Sequence, residues 1–84
     1  MIYTIVLHHP ARATTCLRRT LNSLEKITND LHIVDVIVQG KRNPSGSYPH
    51  KGKGYELRYA DVGENLGIGG GFKLGVERFL ETDA

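Results

Sequence analysis

The chain has 84 residues, of which 39% are hydrophobic and 24% charged, and its formal net charge is +2. This composition is typical of a soluble globular protein, and the length allows one small domain, residues 1–84. The net charge is too small to indicate a nucleic-acid-binding protein, and no apolar run approaches the ~20 residues of a membrane-spanning helix. Cys16 is the only cysteine, so an intrachain disulfide is excluded. We expect a cytoplasmic protein.

The first half of the chain predicts a strand, a helix and a second strand. Residues 2–7, IYTIVL, are a continuous apolar and β-branched run, which is typical of a central strand covered on both faces. Pro10 ends it, and Thr14 or Thr15 can cap a helix whose inner stripe is Leu17, Leu21, Leu24 and Ile27 or Thr28. Residues 32–38, HIVDVIV, predict the next strand. A crossover of this length gives a right-handed parallel βαβ unit.

The second half adds a long loop, an edge strand and a last helix. Residues 40–54 are rich in Gly, Pro, Ser, Lys and Arg and contain no acid. Residues 55–60, YELRYA, alternate and predict a half-exposed edge strand, with Tyr55, Leu57 and Tyr59 on one face. The predicted fold is therefore α/β, a small open parallel sheet of the three-layer type with the order β-α-β-β-α, a partial Rossmann-like half.

Five glycines within nine residues mark the start of the last helix. They are Gly67, Gly69, Gly70, Gly71 and Gly75, and the apolar positions Phe72, Val76, Phe79 and Leu80 predict a buried helical stripe that runs to about Glu81. A helix N-terminus offers unpaired N–H groups, and residues without Cβ let a phosphate approach them. Neither the G-x-G-x-x-G fingerprint nor the P-loop pattern matches this run. A tight turn packed under a strand is the alternative interpretation.

The loops that follow the strands are expected to meet at one edge of the sheet. Ligands of open parallel sheets bind beyond the carboxyl ends of the strands. Residues 8–12, 39–42 and 61–71 all leave from those ends. One of these loops is basic and another is glycine-rich, so the sequence predicts an anionic ligand at this edge.

In this order the motifs resemble the nucleotide-binding half of a family-2 glycosyltransferase of the GT-A fold. Leu21-Asn22-Ser23-Leu24 resembles the family's Leu-x-Ser-Leu-type helix end, and Asn65, Gly67 and the run Gly69 to Gly71 resemble its Asn-x-Gly helix start. The resemblance covers nearly the whole chain with short motifs. It implies an enzyme that binds a nucleotide-diphosphate sugar and transfers the sugar to an acceptor.

The resemblance also implies a set of binding residues, with several departures from the family pattern. Gln39 stands where the family has an aspartate that holds the nucleoside, and Lys73 stands where an Asn often follows the glycines. The first loop, HHPAR, leaves Arg12, with His8 or His9 as further polar candidates. The implied nucleotide- and diphosphate-binding residues are Arg12, Gln39, Asn65, Gly67, Gly69, Gly70, Gly71 and Lys73.

The family's Asp-x-Asp metal motif and catalytic base have no counterpart in these residues. We therefore expect no catalytic or metal-binding residue in this chain, no activity from the chain alone, and a divalent Mg or Mn ion only in a longer parent enzyme. The family's next strand would lie beside the first one, so we expect one bare edge there and a homodimer or aggregate formed through residues 2–7.

Two other function classes use the same loops. The first is a nucleotide- or phosphate-binding module without chemistry. The second is a small RNA-contacting domain that uses Lys41, Arg42, Lys51 and Lys53, with Tyr48 and Tyr55 as stacking residues. Asp35, an acid inside an apolar strand, is expected either to face a polar edge or to pair with an arginine such as Arg58, and a structural pair is favoured over catalysis.

Overall fold

The computed structural model describes residues 2–10, 14–26, 32–42, 46 and 48–82. Five elements follow one another along the chain: β1 (Ile2–His8), α1 (Thr14–Leu24), β2 (His32–Val38), β3 (Glu56–Asp61) and α2 (Gly67–Thr82). The three strands form an open parallel sheet in the order β1-β2-β3. The predicted α/β class, the parallel sheet and the order of elements are confirmed, and together they form a small Rossmann-like half.

The register between strands fixes which residues stand side by side. Ile2 pairs with His32 and His8 with Val38, while Ile33 pairs with Glu56 and Val38 with Asp61. The parallel arrangement brings the carboxyl ends of all three strands to one edge. Two backbone bonds continue the pairing past that edge, from Gln39 N to His8 O at 2.9 Å and from Val62 N to Val38 O at 3.0 Å.

The two helices cover opposite faces of the sheet. Leu17 and Leu21 of α1 pack on Val34, Val36 and Val38. Tyr55, Leu57 and Tyr59 pack against the same cluster, as their alternation predicts. Successive residues of a strand point to opposite faces of the sheet. The residues of β2 that lie between the three valines therefore point toward α2. The residues of β1 on that same face also point toward α2.

The central position predicted for β1 is wrong for the described residues, whereas the bare edge expected beside it is present among them. β1 has one neighbouring strand among the described residues and lies at the edge of the sheet, whereas β2 is central. Its apolar run reflects cover on both faces, from α2 at Ile5 and from the α1 cluster at Val6, rather than a strand on each side. Its side chains from Ile2 to Leu7 are only partly covered, and none of them is fully buried.

The stripe predicted to be buried on α2 is also wrong. Phe72 and Leu80 are 55% and 61% exposed, and the buried residues of the helix are Gly71 and Gly75. A Cβ built on Gly75 would lie 2.6 Å from Ile5 Cγ2. Because these two positions have no side chain, the helix backbone can approach the sheet. The side of α2 that carries the glycines therefore faces the sheet, and the apolar stripe lies to one side of that contact.

Candidate functional site

The candidate site lies at the carboxyl edge of the sheet, where α2 begins. β1 ends at His8, Gln39 follows β2 directly, and α2 starts at Gly67. A cavity of ≈ 240 Å³ opens between these three segments. Its lining consists of Leu7, His9, Gln39, Asn65, Gly67 and Ile68. Three of the residues implied by the resemblance, Gln39, Asn65 and Gly67, therefore surround one cavity.

The amides at the start of α2 are partly used within the chain. Leu66 N donates to Gln39 Oε1 at 2.9 Å, and Gly67 N donates to Asn65 Oδ1 at 2.8 Å. A helix leaves its first four N–H groups without helical partners. Within the described residues, the next two N–H groups, those of Ile68 and Gly69, receive no side-chain acceptor. These two groups are the ones that an anion at the cavity can bind.

Gln39 is a buried residue, although its chemistry suits ligand binding. Its side chain is 6% exposed. A Cβ built on Gly71 would lie 2.7 Å from Gln39 Nε2 and 3.0 Å from Leu7 Cδ2. Gln39 thus holds the loop before α2 through Leu66 and fills the space that Gly71 leaves. The Gln39 side chain is therefore a buried part of the cavity lining and not a mobile polar group that extends toward a ligand.

The glycines among the implied binding residues differ in how accessible they are to a ligand. Gly67 has a φ of 73°, a left-handed conformation that favours glycine, and no heavy atom would lie within 4 Å of a Cβ there. Gly69 also faces open space. Gly70 packs on Leu66, and Gly71 faces the sheet, so neither belongs to the cavity lining.

The two cationic residues of the implied set stand apart from this cavity. Lys73 is exposed on α2 and is absent from the cavity lining. Arg12 lies outside the described residues. Among the described residues, His9 is the ionisable side chain that lines the cavity.

A second polar cluster forms on the α1 side of the same edge. Arg42 makes two hydrogen bonds with Asp61, at 2.5 and 2.9 Å, and its guanidinium lies 5.0 Å from the ring centroid of Tyr48 and 4.6 Å from that of Tyr59. The hydrogen bond from Arg42 to Asp61 raises the pKa of the Arg42 guanidinium. These contacts tie the loop after β2 to the end of β3, so Arg42 acts as a structural residue here.

His8 adjoins that cluster and is 4% exposed. Its ring meets Tyr48 edge-on at 5.7 Å, with Nε2 at 3.5 Å from the Tyr48 hydroxyl. Burial lowers the pKa of His8, and the neighbouring His9 and Arg42 lower it further. His8 is thus favoured in its neutral form, which suits a packing role rather than an anion contact.

A buried ion pair beneath α2 confirms that Asp35 pairs with an arginine, but that arginine is Arg78 rather than Arg58. Asp35, which is 0% exposed, binds Arg78 of α2 through two hydrogen bonds of 2.6 and 3.2 Å, and Tyr3 OH donates to it at 2.5 Å. Arg58 binds Glu56 and Thr82 instead. The apolar pattern of α2 does not single out Arg78, because the side of the helix that faces the sheet is marked by glycines rather than by large side chains. Its place three residues after Gly75, on the glycine side, is the signal that could have found it.

Neither a cluster of metal ligands nor a membrane-crossing helix is found in the part of the chain that the structure describes. No group of three or more His, Cys, Asp or Glu side chains comes together in them in a way that could hold a metal ion. Neither α1 nor α2, the two helices described, has the length and hydropathy needed to cross a bilayer.

Comparison with protein-family models, with curated proteins and with solved structures finds no match for this chain. The function is therefore argued from the cavity and its residues.

Proposed function

We propose that this chain is the nucleotide-binding part of a glycosyltransferase, and that it holds a nucleotide-diphosphate sugar at the carboxyl edge of its sheet. One observation carries the proposal. Gln39, Asn65 and Gly67, which the GT-A resemblance implies as binding residues, surround one ≈ 240 Å³ cavity at the start of α2. Ligands of open parallel sheets bind at this edge, and phosphates favour helix N-termini.

In this proposal the diphosphate binds the N–H groups of Ile68 and Gly69. Those of Leu66 and Gly67 already donate to Gln39 and Asn65, so they shape the helix start rather than bind the ligand. Leu7 and Ile68 give the cavity an apolar wall against which a base or ribose can pack. Gly67 and Gly69 leave open space in front of the amides, because a Cβ at either position would meet nothing within 4 Å.

The proposal assigns binding to this chain and no catalytic step. Glycosyl transfer needs the departing diphosphate neutralised and the acceptor hydroxyl deprotonated. The resemblance implies a divalent Mg or Mn ion for the first task, but the described residues offer no group of three ligands for it. The proposal therefore assigns neither that ion nor the acceptor to residues of this chain.

The test removes one amide of the helix start. We expect Ile68→Pro to weaken the binding of uridine diphosphate about 10-fold or more, because a hydrogen bond to a charged group contributes roughly 1.5–3 kcal/mol. Proline is tolerated in the first turn of a helix, where its missing N–H has no helical acceptor. Ile68→Ala is the matched control, since it shortens the side chain and keeps the N–H. Titration calorimetry gives the affinities.

Backbone chemical shifts in the same titration locate the ligand. The proposal expects the largest changes at Ile68, Gly69 and Asn65. Uridine diphosphate that binds Ile68→Pro and wild type equally, or that shifts only Lys51 and Lys53, would contradict it. Inorganic pyrophosphate binding as tightly as uridine diphosphate would favour the second candidate, a phosphate-binding module without a nucleoside subsite.

The RNA-contacting alternative has less support from the geometry. Arg42 is held by Asp61 between Tyr48 and Tyr59, and Tyr55 OH donates to Leu21 O at 3.3 Å in the core. These groups are engaged within the fold and are poorly placed to stack on bases. The salt dependence of binding distinguishes an RNA-contacting domain from a nucleotide-binding one. Affinity for a polynucleotide falls steeply with salt concentration when several phosphates are neutralised.

A further inference from the structure

His9 lines two neighbouring cavities at the carboxyl edge of the sheet. It contributes to the candidate site together with Leu7. With the same Leu7 and with Cys16 of α1, it also lines a second cavity of ≈ 260 Å³. β1 ends at His8, so His9 is the first residue beyond the strand, and the bond from Gln39 N to His8 O holds the backbone at that point.

The charge of the proposed ligand is not matched by the other described residues that line the candidate site. A nucleotide-diphosphate sugar carries a negative charge on each of its phosphates. The N–H groups at the start of α2 offer only the partial charge of a helix end. Apart from His9, the described lining is uncharged and consists of Leu7, Gln39, Asn65, Gly67 and Ile68.

The two adjacent histidines differ in their ability to carry a proton. His8 is 4% exposed and packs edge-on against Tyr48. Burial lowers the pKa of His8, and the charges of His9 and Arg42 lower it further. His9 is exposed, so water can solvate its ring in the protonated form before a ligand arrives. The proton that accompanies an anion to this site is therefore expected on His9 and not on His8.

The ionisable groups around His9 come from two elements. In the described lining of the two cavities they are His8 of β1 and Cys16 of α1. The residues that α2 and the loop before it contribute are uncharged, and so is Gln39 after β2. No carboxylate belongs to the described lining of either cavity.

We propose that a protonated His9 binds the diphosphate, so that the site takes up a proton with its ligand and binds that ligand more tightly as the pH falls. The role of His9 rests on the proposed function, and it adds control of that site by pH. The imidazole takes its proton from the buffer and then donates an N–H to a phosphate oxygen. Histidine is the side chain that ordinarily changes charge between pH 5 and pH 8. Hydrogen bonds between ionised groups are roughly twice as strong as neutral ones.

The size of the effect follows from the linkage between proton and ligand. An opposite charge within about 4–6 Å of an ionisable group favours its charged form by about one pKa unit or more. One such unit corresponds to a roughly tenfold ratio of ligand affinities between the two protonation states. We therefore expect a dissociation constant about 10-fold lower at pH 5.5 than at pH 8.

The test uses uridine diphosphate glucose, whose two phosphates each keep one negative charge between these pH values. Titration calorimetry at pH 5.5 and pH 8 compares wild type with His9→Gln and with His50→Gln, whose histidine is exposed in the loop before β3. We expect wild type and His50→Gln to show the tenfold change. His9→Gln should bind at both pH values as wild type does at pH 8. At pH 7, two buffers of different ionisation enthalpy should reveal proton uptake by wild type and none by His9→Gln.

His9→Lys separates a charge from a packing role. Lysine stays charged throughout this range, so this variant should bind tightly at both pH values, whereas a side chain that only packs would not be replaced by lysine in this way. Circular dichroism at each pH confirms that every protein is folded.

Two outcomes distinguish this inference from the proposed function. Equal affinity of wild type at the two pH values, or the same pH dependence in His9→Gln, would overturn the role of His9. The proposed function would still stand if Ile68→Pro weakened binding. A failure of wild type to bind uridine diphosphate glucose at either pH would overturn both.

Discussion

The two faces of the sheet are built on different principles. The α1 face is an apolar core in which Leu17 and Leu21 pack on three valines of β2. The α2 face contains a buried carboxylate, a buried amide and two glycines that bring helix backbone onto the strands. The packing of the α1 face depends on the volume of its apolar side chains. The packing of the α2 face depends on the close approach of the helix backbone to the strands and on polar groups that all have hydrogen-bond partners. The candidate site lies at the end of the second face, so that face is the one to perturb.

The largest expected effect comes from breaking the ion pair under α2. We expect Arg78→Met to lower the free energy of unfolding by about 3–5 kcal/mol, because removing one partner leaves a buried charge without compensation. Asp35 would keep only the hydroxyl of Tyr3 as a partner among the contacts described here. Urea denaturation followed by circular dichroism measures the change.

Arg58→Met is the matched control for that variant. Arg58 pairs with Glu56 at the surface, where ion pairs contribute about 0–1 kcal/mol. An Arg78→Met protein as stable as Arg58→Met would show that the α2 face does not depend on its buried pair.

A smaller effect separates the two kinds of glycine in α2. We expect Gly75→Ala to destabilise the protein by roughly 1–3 kcal/mol, because its Cβ would lie 2.6 Å from Ile5 Cγ2 and the packed core has to shift. Gly69→Ala should instead stabilise it by up to about 1 kcal/mol, since alanine is the better helix former and nothing lies within 4 Å of the added Cβ. Thermal unfolding of the two proteins gives the comparison. Equal shifts in the same direction would contradict close packing at Gly75.

The same contrast explains which features the sequence predicts. Residues 32–38 form a strand as expected, although its central position was not predicted, and Leu17 and Leu21 face the core, because side-chain periodicity reports apolar packing directly. The gathering of Gln39, Asn65 and Gly67 follows from the carboxyl-edge rule for parallel strands. Periodicity fails on α2, where glycines rather than large side chains face the sheet. The partners of Asp35 are 32 and 43 residues away in sequence, which no local pattern encodes.

The smallest effect concerns His8, which joins the α1 face to the carboxyl edge. Burial lowers the pKa of His8 in the folded state, so the unfolded chain binds the proton more readily. The contribution of neutral His8 is therefore fully present above the unfolded pKa of about 6.5, and it is lost as the pH falls from there through the lower folded pKa. We expect His8→Phe, which keeps an aromatic ring beside Tyr48, to reduce the loss of unfolding free energy between pH 7 and pH 5.

His50→Gln is the control for this titration, because His50 is exposed in the loop before β3. It should leave the slope of stability against pH as in wild type. Urea midpoints at five pH values suffice for the comparison. If His8→Phe and wild type lose stability in parallel between pH 7 and pH 5, the burial of His8 does not set the acid sensitivity of the fold.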